Sequence, residues 1–352
     1  MIPLAADRVR ILHLSDLHFI GKLTERGTRL GTRPWLTKSH DFAKLQALVH
    51  LLTVLGPPQD TFHHLVVTGD VSTDGALSSL STAKGFIQDD EVIDAGVSRL
   101  IAYGLACDSE RRTVIPGNHD RYGTWLPFQR RQRHFEEIFD DASYPRVQVV
   151  SAPRGTTGPD IIFFIFDSTQ VLRLIQRRNP LNRIARGEVS LAECTWLVRT
   201  CSEIARTGYA NGVRVDPGNC VRIALLHHHP VLPDTNRLPS SRAQSLTRDL
   251  TRMDNDEAFQ RSCLEAGINM VLFGHQHFGY RRTATSTTSG QTPFGADGPV
   301  HFFCCASTSE YSVPDPGFFI YDVGIRGVDA YQFGWDGCGF TRKPTLTRLP
   351  FR

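Results

Sequence analysis

The chain alternates short hydrophobic runs with longer stretches in which apolar residues recur every three or four positions. Short runs rich in apolar and β-branched residues, bounded by glycine, proline or asparagine, are typical of β-strands. These runs predict strands at Val9–Leu14, Leu65–Thr68, Thr113–Ile115, Ile161–Phe166, Val221–Leu226, Met270–Phe273, Val300–Cys304 and Phe318–Tyr321.

The stretches with the three-and-four spacing have the pattern of amphipathic helices. They predict helices at His40–Leu55, Phe128–Phe139, Leu191–Ala205 and Asp256–Ala266. Strands that alternate with helices indicate an α/β layer architecture. No repeat or long linker divides the chain, so we expect a single domain over 1–352. Its motif core would span 9–280, the strands of 281–352 would complete a second sheet, and the polar stretch Thr283–Thr292 would form a hairpin tip.

Length and composition exclude several classes of protein. The chain has 352 residues, of which 40% are hydrophobic and 21% charged, as expected for a globular protein. Its longest apolar run, Ile161–Phe166, is far shorter than the roughly 20 residues that cross a bilayer. We therefore expect no membrane span. No charged-then-apolar leader precedes the first strand, and this predicts a cytoplasmic location.

Net charge and cysteine content exclude fewer functions than length and composition do. A formal net charge of +3 and 9% aromatic residues do not indicate a nucleic-acid-binding surface. The eight cysteines form no C-x-x-C pair, so we expect buried free thiols. Only five of the 39 basic residues are lysines. This bias fits a GC-rich genome, and it also fits arginines that bind phosphate.

Acidic, imidazole and amide side chains follow five of the predicted strands at the point where each strand ends. The segments read ILHLSDLHF, LVVTGDVSTDG, VIPGNHDRYG, VRIALLHHHPV and MVLFGHQHFGY. They carry Asp16, His18, Asp70, Asn118, His119, Asp120, His227, His228, His229, His275 and His277. A single segment of this kind is usually a helix cap or a core histidine. Five of them at strand ends, where α/β sheets present functional groups, indicate a functional site.

The chemistry of this set points to a pair of metal ions. Two aspartates, one asparagine and four histidines are enough ligands for two ions that share a carboxylate. Asp70 has two oxygens that can bridge, Asn118 offers a neutral oxygen, and His119 would remain free as an acid. The identity of the metals stays open, because manganese, iron, zinc and cobalt all accept these donors.

The ordered motifs D-x-H, G-D, G-N-H-D, H-x-P and G-H-x-H resemble those of the calcineurin-like metallophosphoesterases. The resemblance implies a four-layer αββα sandwich of two mixed β-sheets flanked by helices. It implies that one metal is held by Asp16, His18, Asp70 and His277, and the other by Asp70, Asn118, His228 and His275. His228 is selected because the family ligand stands two residues before the proline. His119 is implied to assist catalysis without binding metal.

The chain departs from the family pattern at one position. In phosphatase-like members an aspartate three residues after the bridging aspartate orients the catalytic histidine, and here Thr73 stands in its place. Asp74 and Asp120 are the candidates to replace that aspartate. His227 and His229 are expected to orient ligands or to contact the substrate.

The H-H-P signature resembles the cyclic-nucleotide phosphodiesterase branch of the family. We therefore expect a phosphodiesterase for small phosphodiesters, 3′,5′-cyclic nucleotides first among them, and no nucleic-acid partner. Two cations about 3.5–4 Å apart lower the pKa of a shared water and stabilise an in-line displacement. His119 would then protonate the leaving group.

Substrate choice would depend on two arginine-rich segments, 173–186 and 231–256. Arg237 and Arg242 in the second are candidates to bind an anionic substrate, although solvated loop charge is the commoner explanation for such residues. The alternatives for function are hydrolysis of other phosphodiesters, phosphomonoesters or nucleic acid. A further alternative is a metal-containing binding module that has lost turnover, but no ligand position is missing. The formation of a homo-oligomer stays open.

Overall fold

The computed structural model describes most of the chain, in fifteen stretches. They are residues 4–20, 41, 43–56, 61–89, 93–94, 100–101, 104–121, 133–140, 143–152, 155–169, 186–232, 253–285, 298–310, 316–344 and 346–351. Arg237, Arg242 and most of both arginine-rich segments lie outside these residues.

Two large mixed sheets contain most of the strands. In chain order the strands are β1 Val9–Leu14, β2 His64–Thr68, β3 Ile93–Asp94, β4 Leu100–Ile101, β5 Arg112–Ile115, β6 Arg146–Val150, β7 Asp160–Ile165, β8 Tyr209–Ala210, β9 Val213–Arg214, β10 Cys220–Leu225, β11 Met270–Phe273, β12 Tyr280–Ala284, β13 Val300–Cys304, β14 Gly317–Gly324, β15 Gly327–Trp335, β16 Phe340–Arg342 and β17 Thr347–Pro350.

The described helices are α1 Ala43–Leu55, α2 Leu77–Gln88, α3 Asn118–Arg121, α4 His134–Phe139, α5 Leu191–Thr207 and α6 Asp256–Glu265. Helix α5 begins at a capping box, in which Ser190 accepts a hydrogen bond from the Glu193 N–H and the Glu193 carboxylate accepts one from the Ser190 N–H. It ends at Gly208, whose left-handed conformation stops the helix. These signals explain why the predicted and observed bounds of α5 agree closely.

The first sheet has the strand order β16-β15-β14-β1-β2-β5, and β17 also pairs with β15. Strands β1, β2 and β5 run parallel to one another, whereas β14 runs antiparallel to β1, with Ile11 opposite Tyr321. The carboxyl ends of β1, β2 and β5 therefore lie at the same edge of this sheet.

The second sheet has the order β12-β13-β11-β10-β7-β6. Strands β7, β10, β11 and β13 are parallel, and β6 and β12 are antiparallel additions at its two sides. The parallel part places the ends of β10 and β11 next to each other, as in the first sheet.

The core explains how the layers stack. Alternate residues of β7 point to opposite faces, as the two-residue period of a strand requires. Ile161, Phe163 and Ile165 pack with β1 and β2 in the core between the sheets. Ile162 and Phe164 pack with α5 and α6 on the other side of the second sheet, and α1 and α2 join the core of the first sheet. The predicted α/β fold of two mixed sheets flanked by helices is confirmed.

Two expectations about the fold need correction or fall partly outside the described residues, and one helix was not predicted. The strands after residue 316 do not complete the second sheet, because β14 to β17 extend the first sheet from β1. Helix α2 was not predicted, because its serine- and threonine-rich sequence hides the buried stripe of Leu80, Ala83 and Phe86. Of the predicted hairpin tip, the first residues belong to β12, and 286–297 lie outside the described residues.

Among the described helices, none combines the length and the apolar character that a membrane crossing requires.

Candidate metal centre

Five strand ends from both sheets meet at one place. Asp16 follows β1, Asp70 follows β2 and Asn118 follows β5, all from the first sheet. His227 follows β10 and His275 follows β11, both from the second sheet. Parallel neighbours bring these residues to the same edge of each sheet, so the packing of the two sheets closes the site between them.

The backbone at these strand ends is unusual. Five of the candidate ligands have positive φ angles, a conformation that residues other than glycine rarely adopt. They are Asp16 at 54°, His18 at 52°, Asp70 at 50°, His275 at 72° and His277 at 58°. Strained backbone of this kind persists where the surroundings hold it and concentrates at functional sites.

The first group of side chains, which we call the Asp16 cluster, consists of Asp16, His18, Asp70 and His277. Their donor atoms all lie within 4.8 Å of one another. Asp16 Oδ1 is 3.3 Å from His277 Nε2, and Asp70 Oδ2 is 3.9 Å from His18 Nε2. The four residues named as one ligand set by the family resemblance therefore do lie together.

The second group, which we call the His227 cluster, consists of Asp70, Asn118, His227 and His275. His227 Nε2 lies at its centre, 3.3 Å from Asp70 Oδ2, 3.1 Å from Asn118 Oδ1 and 3.2 Å from His275 Nδ1. Since Asp70 belongs to both clusters, one carboxylate lies between the two groups of donors.

In the fourth motif the structure places His227 Nε2 beside Asp70, Asn118 and His275. The assignment of His228 as the ligand, made from the proline spacing, stays a prediction. The His228 ring is fully buried, its Nδ1 is 2.9 Å from the Ser168 hydroxyl, and its Cγ would lie 2.2 Å from a Cβ at Gly187. Counting back from a proline does not determine which of three consecutive side chains faces the site.

A hydrogen bond to the backbone fixes the orientation of the His227 ring. Its Nδ1 lies 2.7 Å from the Thr68 carbonyl oxygen. Because a carbonyl can only accept, Nδ1–H is the donor, and Nε2 is directed at Asp70 and Asn118. Metal-binding histidines in proteins are commonly oriented in this way.

The surroundings of the two clusters fit cations. Asp16 Oδ1 and Asp70 Oδ2 are buried carboxylate oxygens that face imidazole nitrogens at 3.3 Å but make no well-aligned hydrogen bond among the described residues. Such oxygens are costly to bury unless a cation compensates them. The backbone leaves no room for side chains here, because a Cβ at Gly117 would lie 2.1 Å from Asp70 Oδ1. A Cβ at Gly69, where φ is +92°, would lie 2.5 Å from His227 Nδ1.

The electrostatic coupling within the site is strong. Burial alone would lower the pKa of His227, but the Asp70 carboxylate raises it to about 9. Burial would likewise raise the pKa of Asp70, but His227 and His119 hold it well below its ordinary value. Burial, followed by the charge of His227, lowers the pKa of His275 to about 3. Binding of a metal ion to His227 would release its proton.

His119 is directed by the residue that stands in place of the family aspartate. Its Nδ1 is 3.0 Å from the Thr73 carbonyl oxygen, so Nδ1–H donates to the backbone. Its own N–H donates to Asp70 Oδ1 over 2.8 Å. The His119 ring is only partly buried and lies 4.9 Å from the His18 ring. His119 is thus held beside the Asp16 cluster with Nε2 available.

Asp120 and Asp74, the two candidates to replace that aspartate, have other partners. Asp120 accepts hydrogen bonds from the N–H groups of Ser72 at 2.8 Å and Gly117 at 2.9 Å, and so joins the loops after β2 and β5. Burial and the nearby Asp70 raise the pKa of Asp120 to about 6. Asp74 accepts the N–H of Ala76 ahead of α2.

His229 lies at the side of the His227 cluster. Its ring stacks on that of His275 with centroids 6.0 Å apart, and both of its nitrogens are 3.1 Å from Gln276 Nε2. Gln276 is thus brought close to the site by the same motif that supplies His275 and His277.

Sequence reasoning missed Glu310. Its carboxylate makes a close hydrogen bond to His277 Nδ1, on the opposite side of the ring from Asp16. Burial lowers the pKa of His277, but Asp16 and Glu310 raise it well above its ordinary value. No motif marks Glu310, because it comes after the five strand-end segments and its partner is far away in the sequence.

Two mixed sheets thus bring two groups of donors that could each hold a metal ion to the strand ends, with Asp70 common to both. The family model for calcineurin-like phosphoesterases matches residues 9–279. The chain belongs to this family of metallophosphoesterases, which are phosphoester hydrolases, and the resemblance stated from the motifs is confirmed. No curated protein sequence matches the chain.

Comparison with solved structures gives similar chains at low sequence identity. Purple acid phosphatase PPD1 from yellow lupin (Lupinus luteus) is similar with a TM-score of 0.50 and 10% identity, over 95% of this chain and 53% of that chain. A dimetal phosphatase from Danio rerio gives 0.49 and 12%, over 98% and 99%. GAP50, the inner membrane complex anchor of Plasmodium, gives 0.48 and 11%, over 98% and 89%.

Proposed function

We propose that the protein is a two-metal phosphodiesterase for small phosphodiesters. One ion would be held by the Asp16 cluster and the other by the His227 cluster. The observation that carries this proposal is the position of Asp70, whose Oδ2 lies within 3.9 Å of His18 Nε2 and 3.3 Å of His227 Nε2. Two metal ions held by these residues would activate a water nucleophile and stabilise the phosphoryl oxygens.

The protein side chains around the clusters would do the remaining work. His119 has its Nδ1–H engaged by Thr73, so its Nε2 is the atom that can hold or deliver a proton. It lies beside the clusters and not within them, which suits a group that protonates the leaving oxygen. General acid catalysis of this kind contributes about 10²–10⁴ in rate.

The charge balance of the site favours a diester over a monoester. A diester carries one negative charge, whereas a phosphate monoester carries about −1.5 to −2 at neutral pH. Arg121 lies two residues after His119 but is only 1% exposed and is ion-paired with Asp167 and Glu136. It therefore offers no charge to a second phosphate oxygen. The H-H-P signature adds 3′,5′-cyclic nucleotides as the first substrates to test.

Two substrates with the same leaving group give the sharpest test. The kcat/KM for bis(p-nitrophenyl) phosphate should exceed that for p-nitrophenyl phosphate on protein reconstituted separately with manganese, zinc, cobalt or iron. Cyclic 3′,5′- and 2′,3′-nucleotides and a single-stranded oligonucleotide complete the panel. Preference for the monoester would overturn the diester assignment. Full metal content without turnover of any substrate would instead make the protein a binding module.

A further inference from the structure

The segment 305–310 runs through the candidate metal centre although the family match ends at residue 279. It follows β13 and reads Cys-Ala-Ser-Thr-Ser-Glu. Ser307, Thr308 and Ser309 are fully buried, which is unusual for hydroxyl residues in a connection between strands. Buried hydroxyls need hydrogen-bond partners, and the partners found here belong largely to the first motif.

The hydroxyls of this segment hold the backbone of the D-x-H motif. The Ser307 hydroxyl donates to the Asp16 carbonyl oxygen over 2.8 Å, and the Ser309 hydroxyl donates to the Leu17 carbonyl oxygen over 2.9 Å. The Thr308 N–H donates to the carbonyl oxygen of Ser15 over 3.2 Å. These bonds are made where Asp16 has a φ of 54°, so the segment supports the backbone that this residue would not otherwise adopt.

The same segment positions a carboxylate behind His277. Glu310 contacts Nδ1 of the ring, while Nε2 of the ring is 3.3 Å from Asp16 Oδ1. The Glu310 backbone is itself fixed, since its N–H donates to the Ser307 hydroxyl over 3.1 Å. The Lys44 ammonium donates to its carbonyl oxygen. The glutamate side chain is 12% exposed, so little water competes for its carboxylate.

We propose that Glu310 is a positioning residue of the metal centre, holding His277 by its Nδ1–H so that Nε2 is presented to the cation of the Asp16 cluster. This inference rests on the proposed two-metal function. A carboxylate behind an imidazole ligand fixes the tautomer and raises the basicity of the ligating nitrogen. Glu310 acts through His277 and makes no contact with the substrate in this assignment.

The expected effect is confined to one of the two ions. Loss of a partner behind a metal-binding histidine typically weakens metal affinity by about 10–100-fold. Glu310→Ala should therefore weaken one equivalent of metal by this factor and leave the affinity for the equivalent bound by the His227 cluster unchanged. Glu310→Gln keeps a hydrogen-bond acceptor for Nδ1–H and loses only the charge, so its defect should be smaller.

Cobalt titration measures this without relying on activity. Metal-free wild type, Glu310→Ala and Glu310→Gln are titrated with Co²⁺ against a competing chelator, with the visible absorption of the bound ion as readout. Circular dichroism and urea unfolding of the metal-free proteins report whether each variant folds. Glu203→Ala is the matched control, because Glu203 is an exposed glutamate on α5 paired with Arg206.

The outcomes separate this inference from the proposed function. Two equivalents in wild type and one weakened equivalent in a folded Glu310→Ala support it, and partial recovery in Glu310→Gln supports it further. Two equivalents of unchanged affinity in a folded Glu310→Ala overturn it and leave the two-metal proposal standing. Failure of wild type to bind two cobalt ions overturns both. If Glu310→Ala does not fold, Glu310→Gln alone decides, and unchanged affinity in it overturns the inference.

Discussion

The two donor clusters are alike in ligand count but differ in charge and support. The Asp16 cluster contains two carboxylates and two imidazoles, whereas the His227 cluster contains one carboxylate, one amide and two imidazoles. The first is held from behind by hydroxyls and a carboxylate of the segment 305–310, and the second by the carbonyl oxygen of Thr68. If each cluster holds a metal ion, we expect the more highly charged or more tightly bound ion in the Asp16 cluster.

Removing Asp70, the residue shared by the two clusters, should weaken metal binding by both of them. Asp70→Ala takes a carboxylate from both, so the metal content should fall from two ions per chain to nearly none. Loss of a residue that only orients a metal ligand typically costs about 10–100-fold in activity. Loss of Asp70 should lower the activity by more than this. Elemental analysis of protein purified without chelator measures the content. Asp336→Ala, in an exposed turn, is the control. A full metal complement in Asp70→Ala would exclude the bridging role.

Removing His119 should leave both clusters intact. His119→Ala should keep two ions and lose about 10²–10⁴ in kcat with an alkoxide leaving group. With p-nitrophenolate, which needs no proton, the loss should be much smaller. The comparison is made by steady-state kinetics with both classes of substrate. Equal losses would indicate that the imidazole stabilises the phosphoryl oxygens, and lost metal would make His119 a ligand.

Separate substitutions of His227 and His228 test which of these adjacent histidines belongs to the His227 cluster. His227→Ala should weaken one equivalent of metal and spare the Asp16 cluster, because His227 Nε2 is central to the His227 cluster. His228→Ala should keep both equivalents and lower the urea midpoint instead, because truncating a buried side chain leaves a cavity. Cobalt titration and urea unfolding distinguish the two results. Metal loss in His228→Ala alone would restore the assignment made from the proline spacing.

His64 lies outside both clusters, so its pKa shows the effect of burial on a histidine that does not face Asp70. His64 is as fully buried as His227, but burial lowers its pKa to about 3, and its Nδ1 has no hydrogen-bond partner among the described residues. Because the folded pKa lies below the unfolded value, stability is full above pH 6.5 and falls as the pH drops toward 3. The loss approaches about 1.4 kcal/mol per pH unit.

His64→Gln should remove this pH dependence. The variant should be less stable than wild type at pH 7, but its free energy of unfolding should decline less steeply between pH 6.5 and 4. Urea unfolding in the presence of chelator, at several pH values in this range, measures the two slopes without a contribution from metal. Parallel slopes for the two proteins would show that His64 does not take part in acid destabilisation.

Much of the fold and the composition of the site followed from local sequence. The strands β1, β11 and β13 were predicted with their observed bounds, since each is a compact hydrophobic run ended by a polar or cysteine-containing turn. The strand-end positions of Asp16, Asp70 and Asn118 followed for the same reason. Parallel strands then place these side chains at one edge without any further information.

Other features could not be obtained from local pattern. The pairing of β14 with β1 joins residues about 310 positions apart, and periodicity carries no information on which sheet a strand enters. Which of His227 and His228 faces Asp70 and Asn118 depends on side-chain direction after a strand has ended. The partner of His119 is a carbonyl oxygen of Thr73, and every residue type has that group. Glu310 has no motif because its role depends on tertiary contact alone.

The pairing of β14 with β1 also has a consequence for biosynthesis. Ile11 of β1 pairs with Tyr321 of β14. At roughly 5–20 residues per second, β1 leaves the ribosome tens of seconds before Tyr321 has been made. During that interval one side of β1 lacks its partner strand, and an unpaired strand edge is a template for association between chains. A nascent or C-terminally shortened polypeptide should therefore depend on chaperones more than the finished protein does, and a shortened gene should give inclusion bodies in place of a shorter folded protein.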